Sequence, residues 1–176
     1  MKSLIKKAFI LSFIALGIVS CSEDSSSPKA NDSEVLNLTS PDGGSYVLQS
    51  TAAGDEVFVA RWTSADYNYQ AAVNYKLQLV KASDTFDGAN VGSFDLGNFS
   101  STSGASFEKS LTVREFNSMI LGANGSIGSA ESYKVRVVAS VNGQLNTSDN
   151  NLTNAVSQEV TLTATAYDTF DEFSRI

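Results

Sequence analysis

Two apolar runs of period two, separated by a ten-residue polar bridge, limit what this chain can become. The stretch from Glu56 to Val80 reads E-V-F-V-A-R-W, then T-S-A-D-Y-N-Y-Q-A-A, then V-N-Y-K-L-Q-L-V. Phe58, Ala60 and Trp62 share one face of the first run. Val73, Tyr75, Leu77 and Leu79 share one face of the second, and Asn74, Lys76 and Gln78 take the other. A helix would scatter these residues around its axis. Alternate side chains of a strand point to opposite faces, so the pattern predicts two half-buried antiparallel strands. Trp62 is the single Trp of the chain. Its indole is a body that neighbouring strands must pack around, which makes it the expected core anchor.

The flanking sequence repeats the theme. Leu36 and Leu38 alternate in Val35 to Thr39, and Tyr46 and Leu48 alternate in Ser45 to Gln49. Between them Ser40-Pro41-Asp42-Gly43-Gly44 is a turn: Pro fixes φ, Asp bonds its own backbone and Gly supplies positive φ. Lys81 to Ser106 is polar and punctuated by Gly88, Gly92, Gly97 and Gly104. It predicts one or two short edge strands around Val91 to Leu96 and a mobile loop near Ser100 to Gly104. Phe107 to Leu111 is extended again. Tyr133, Val135, Val137, Ala139 and Val141 alternate with polar residues, and Asn142-Gly143 marks a turn. Leu145 to Asn154 is a polar loop, and Val156, Val160, Leu162 and Ala164 predict one last strand.

One helix interrupts the strands. Thr112-Val113-Arg114-Glu115 is a capping box, and Leu111 with Phe116 occupies the staple positions. Val113, Phe116, Ile120 and Leu121 mark its buried face, and Gly122 is the expected stop. Asn117 falls on that face as well. A buried amide must be satisfied, so Asn117 is expected to tie the helix to a strand edge. About seven strands and one short helix make an all-β, immunoglobulin-like or fibronectin-III-like antiparallel β-sandwich.

The first 20 residues differ from all this. A basic start precedes an apolar run from Ala8 to Val19, twelve residues. At about 1.5 Å per residue such a helix falls short of a hydrocarbon core about 30 Å thick. The run reads as a secretory signal. Its end, Gly17-Ile18-Val19-Ser20-Cys21, resembles a bacterial lipoprotein signal, with Ile18 where Leu is usual. That resemblance implies a lipid on Cys21, the chain's single cysteine. Residues 21–33 lack the apolar residues a core needs and predict a disordered tether. The acidic residues behind Cys21 resemble the surface-export signal of lipoproteins in glycan-foraging Gram-negative bacteria. Removing Lys2, Lys6 and Lys7 of the leader from 12 basic residues leaves nine against 19 acidic, a balance of -10. So acidic a surface excludes nucleic acid as an expected partner.

A resemblance of the globular part rests on several collinear pieces. They are Ser40-Pro41-Asp42-Gly43, Phe58 with Trp62, Tyr75-Lys76-Leu77-Gln78, and Phe86 with Asp87-Gly88-Ala89-Asn90. The helix Glu115 to Leu121, Tyr133 to Ala139 around Arg136, and Thr161 to Tyr167 complete them. From Glu34 to Tyr167 the chain resembles the N-terminal domain of SusE-type outer-membrane lipoproteins of starch-utilisation systems. Ala166 departs from the Pro expected before Tyr167. The resemblance implies a lipid-anchored, non-catalytic component of a glycan binding and uptake system, facing the cell exterior. It implies an outer-membrane transporter complex and a polysaccharide as partners. Sugar sites of the family lie mainly in further C-terminal domains, so this domain is expected to be a spacer and platform. The chain divides into a signal at 1–20, a tether at 21–33, the sandwich at 34–167 and a tail at 168–176. The alternatives are a surface adhesion or protein-interaction module, or a truncated longer glycan-binding lipoprotein.

Chemistry is sparse. The chain has no histidine, which removes Ser-His-Asp and Cys-His nucleophiles and His-ligated zinc. Ser83 to Asn90 faintly resembles a calcium loop but lacks the alternating ligands and terminal Glu of an EF-hand. No metal, cofactor or catalytic residue is expected. Sugar rings stack on exposed aromatic faces, and Tyr67 and Tyr69 sit in the bridge between the two central runs. They are the candidate glycan contacts. Phe94 and Phe99 are further aromatics, expected either at the surface or packed on an edge.

Overall fold

The structure, a computed structural model, describes residues 36–67, 70–141 and 154–169. Cys21, the signal and the tether lie outside the described residues, as do Tyr69, the Asn142-Gly143 turn and the loop at 145–153. Two sheets form an immunoglobulin-like sandwich. The smaller holds β1 (Leu38–Ser40), β3 (Glu56–Thr63) and β6 (Ser106–Thr112) in the order β1-β3-β6. The larger runs β2-β9-β7-β4-β5, with β8 (Ala155–Val156) beside β7. Here β2 is Ser45–Val47, β4 Ala72–Lys81, β5 Gly92–Ser100, β7 Ala130–Val141 and β9 Val160–Thr165.

The two period-two runs become β3 and β4, and every expected inward residue is buried. They do not pair with each other. They belong to opposite sheets and face one another across the core, with Trp62 and Tyr75 ring centroids 5.7 Å apart. On β3, Phe58 and Trp62 are four residues apart, or about 13 Å, with the small Ala60 between them. Each therefore organises its own aromatic cluster. Phe58 meets Tyr46 and Phe116 at centroid distances of 5.6 and 5.1 Å. Trp62 meets Tyr75, Phe99 and Phe107.

The first turn sends the chain from one sheet to the other. Gly43 and Gly44 have φ of +108° and +104°, so β2 leaves β1's sheet and pairs in parallel with β9. A side chain at Gly43 would also crowd the Thr161 carbonyl at 3.2 Å.

Helix α1 (Val113–Gly122) links β6 to β7. The capping box is complete: Thr112 Oγ1 accepts the Glu115 N–H, and the Glu115 carboxylate accepts the Thr112 N–H at 2.8 Å. The buried face is Val113, Phe116, Asn117, Met119 and Ile120. Leu121 is only half-buried. The left-handed residue after the helix is Asn124, at φ +59°, and not Gly122. Gly122 serves packing instead, since the helix runs against the backbone of Gly92 at the start of β5. A methyl group at Gly92 would fall on the Met119 carbonyl.

Three strand expectations change. The edge strand is one long β5 of nine residues, Gly92–Ser100. Gly97, which reads as punctuation, lies next to a bulge inside it. The turn at 101–105 is anchored. Ser101 is buried, its N–H donates to the Ala71 carbonyl at 2.7 Å and its hydroxyl to Ala65 at 3.2 Å. The last strand is two pieces. Ser157 breaks it: its N–H donates to the Val137 carbonyl and its Oγ accepts the Val137 N–H, both at 2.9 Å. Gln158 then reaches across to the backbone of Leu38 in the other sheet. The break turns Val156 outward, 44% exposed, opposite Val138.

Candidate functional site

Tyr67 is not a surface residue. It is 1% exposed, and its hydroxyl donates to the Ala139 carbonyl at 3.2 Å. The chain crosses between sheets at 64–67, so this part of the bridge is core and offers no ring face to a sugar. The Tyr75 hydroxyl accepts the Ala65 N–H at 2.9 Å, and Ser64 Oγ accepts the Thr102 N–H at 3.2 Å. These bonds satisfy the backbone that the crossing buries. Tyr69, the second candidate, lies outside the described residues. Trp62 is fully buried. Phe94 and Phe99 sit opposite the inward residues Leu77 and Val73 and pack half-buried against the core. Among the described residues, the aromatic residues chosen from the sequence therefore do not assemble a surface site.

The outer face of the larger sheet does carry a built feature. Val80 follows Leu79 on β4 and so points outward by alternation, yet it is fully buried. The covering element is the β4–β5 loop, which folds back over the sheet. Lys134 Nζ donates to the Asp84 carbonyl at 2.6 Å. The Arg136 guanidinium stacks on the Phe86 ring, 3.9 Å from its centroid. Its Nε donates to Gln78 Oε1 at 3.0 Å. Burial lowers the pKa of Arg136, while Asp87 and Glu159 nearby oppose that shift. Beside this patch the loop encloses an open, polar pocket of about 350 Å³, lined by Ser83, Asp84, Thr85, Gly88, Ala89 and Asn90. Sequence reasoning assigned Phe86 and Arg136 no role. The available signals were a lone Phe in a Gly-rich polar loop and an Arg on the outward phase of β7.

One carboxylate is strongly held. The Ser126 N–H lowers Glu131 most, to about 2; burial opposes this, and the Tyr133 hydroxyl, Lys81 and the Ser126 hydroxyl reinforce it. The Tyr133 hydroxyl is raised, by burial first and then by Glu131. Such a carboxylate stays ionised through the physiological range and cannot serve as a general acid there. It pins the loop after α1 to the start of β7. Among the described residues no three His, Cys, Asp or Glu side chains converge as a metal site would require.

The model of the SusE outer membrane protein family matches residues 22–138. This chain belongs to that family. The match runs from behind Cys21 through β1 to β6, the helix and most of β7, so it covers the smaller sheet, the larger sheet without β8 and β9, and the aromatic clusters between them. Membership makes the chain an outer membrane protein of the SusE type. No curated protein matches the chain.

Proposed function

We propose that the protein is a lipid-anchored, non-catalytic component of an outer-membrane system that binds and takes up starch-like glycans. Cys21 carries the lipid, residues 21–33 form the tether, and the sandwich faces the cell exterior. The sandwich acts as spacer and platform beside a glycan transporter complex. The observation that carries this reading is the family match, which opens at residue 22, immediately behind Cys21. The inward position of Tyr67 supports a platform over a sugar site, because the crossing at 64–67 has no exposed ring. Tyr69 is the remaining candidate for a glycan contact.

The test is retrieval of the chain from outer membranes, alongside labelling with a palmitate analogue. The native chain should take up the label and co-purify with a transporter. Cys21→Ser should lose the label, because the acyl chains are the main membrane attachment. Equal labelling of both forms would overturn the anchor. The chain should bind amylose and amylopectin weakly or not at all in affinity electrophoresis. Micromolar dissociation constants, about 8 kcal/mol, would overturn the platform reading.

A further inference from the structure

Among the described residues five strands have an unpaired side: β1 and β6 in the smaller sheet, and β2, β5 and the short β8 in the larger. An exposed edge offers unpaired backbone groups to another strand, and proteins blunt it with shortness, proline, charge or a bulge. Four of these edges are blunt by shortness or charge, β8 having only two residues. β1 and β2 have three residues each, and Pro41 follows β1. β6 carries Glu108 and Lys109. β5 is the longest, with nine residues, and has no proline, lysine or arginine. Its one charge is Asp95.

Asp95 sits at an irregularity. Tyr75 pairs with Gly97 and Lys76 with Asp95, so Leu96 is an extra residue on the edge strand. Gly97 takes φ +109°, and Leu96 turns into the core. Asp95 Oδ1 accepts the Gly97 N–H at 2.9 Å and the Asn74 side-chain N–H at 3.4 Å. The carboxylate thus consumes a backbone donor of the edge strand and fixes the bulge that bends it.

We propose that Asp95, with the Leu96 bulge, guards β5 against strand addition by a second copy of this chain. The geometry selects a second copy over an unrelated strand. Leu96 is the midpoint of Gly92–Ser100, so antiparallel self-pairing about that midpoint sets the two Asp95 carboxylates beside the two-fold axis. Like charges so placed repel, and each would have to surrender its bond to Gly97. A foreign strand meets only half of that obstacle.

The experiment uses the full-length chain in mild detergent, with chemical cross-linking and sedimentation over a concentration series. The native chain should show no β5-mediated dimer. Asp95→Ala should tighten self-association by about tenfold or more. Adding Asn98→Lys, an exposed charge on the same strand, should reverse it. A folded Asp95→Ala chain that associates no more than the native one overturns the proposal, as does association that Asn98→Lys leaves untouched. If Asp95→Ala lowers the melting temperature into the working range, hydrogen exchange on the native chain decides. The Gly97 amide should be protected, and exchange at the rate of an unbonded amide overturns the proposal.

Discussion

The side-chain amide of Asn117 and the backbone of Tyr167 close a ring of two hydrogen bonds. Asn117 Nδ2 donates to the Tyr167 carbonyl at 3.1 Å, and the Tyr167 N–H donates to Asn117 Oδ1 at 2.9 Å. Asn117 is 0% exposed. Its amide acts like one more residue of a neighbouring strand, and it pins the chain just beyond β9 to the middle of α1.

Replacing Asn117 by Ala should therefore cost more than the loss of one hydrogen bond. Two backbone groups of Tyr167 lose their bonds to the Asn117 amide, and a buried group whose bond is lost costs about 1–3 kcal/mol. Asn117→Asp keeps an acceptor for the N–H but confronts the carbonyl with a buried carboxylate, so it should be no milder near neutral pH. Urea denaturation gives the cost, and hydrogen exchange at Tyr167 locates it. A loss below about 0.5 kcal/mol would show that water satisfies these groups equally well.

Trp62 is the second test, because it is fully buried while its indole N–H has no hydrogen-bond partner among the described residues. Trp62→Ala should cost about 3–5 kcal/mol, a large share of the about 5–15 kcal/mol that stabilises a domain. Trp62→Phe removes volume but also removes the unpaired donor, and a buried unpaired donor itself costs about 1–3 kcal/mol. It should fall well short of the Ala variant in lost stability. Equal losses for Phe and Ala would mean that indole shape alone matters in the cluster with Tyr75, Phe99 and Phe107.

These two residues also show what the sequence could reveal. Trp62 was legible because alternation in β3 fixes its face without reference to any partner. Asn117 was legible because a polar residue on the apolar face of a capped helix must find backbone to bond. Tyr67 was not legible, since its partner is the carbonyl of Ala139, 72 residues away. A bridge that reads as polar can still be a crossing through the core when neighbouring hydroxyls satisfy its backbone. The split between β8 and β9 was hidden for a similar reason. Alternation counts residues, but Ser157 and Gln158 bond to β7 and β1 with their side chains, and so shift the phase. The Phe86–Arg136 stack needs a loop to return over the outer face of the sheet, and no periodicity records that return.

Glu131 should set part of the acid limb of the stability profile. Its folded pKa is lowered from 4.5 to about 2, so folding favours the ionised form. The contribution is complete above about 4.5 and disappears as pH falls toward 2. Its side chain is 26% exposed, so solvent weakens the effect. Glu131→Gln should be less stable than the native chain near pH 7, and the gap should close between about pH 4.5 and 2. Melting temperatures of both forms across that window provide the check. A constant gap at every pH would assign the loss to geometry around Ser126 and Tyr133 and not to charge.

The β4–β5 loop provides the last test, because its attachment is concentrated in few groups. Phe86 lies under the Arg136 guanidinium, and Lys134 holds the Asp84 carbonyl. Val80 is buried beneath this cover although it directly follows the inward, buried Leu79 on the strand. Arg136→Lys keeps the charge but loses the guanidinium over the Phe86 ring and the Nε bond to Gln78. It should cost about 0.5–1 kcal/mol, with the change confined to the loop. Phe86→Ala removes the ring from both Arg136 and the sheet, so it should cost more and expose Val80. Hydrogen exchange separates the two levels: amides of 82–91 should exchange faster in both variants, while those of β3 and β6 stay unchanged. Faster exchange throughout both sheets would mean that the loop belongs to the cooperative core and is not a cover laid over its outer face.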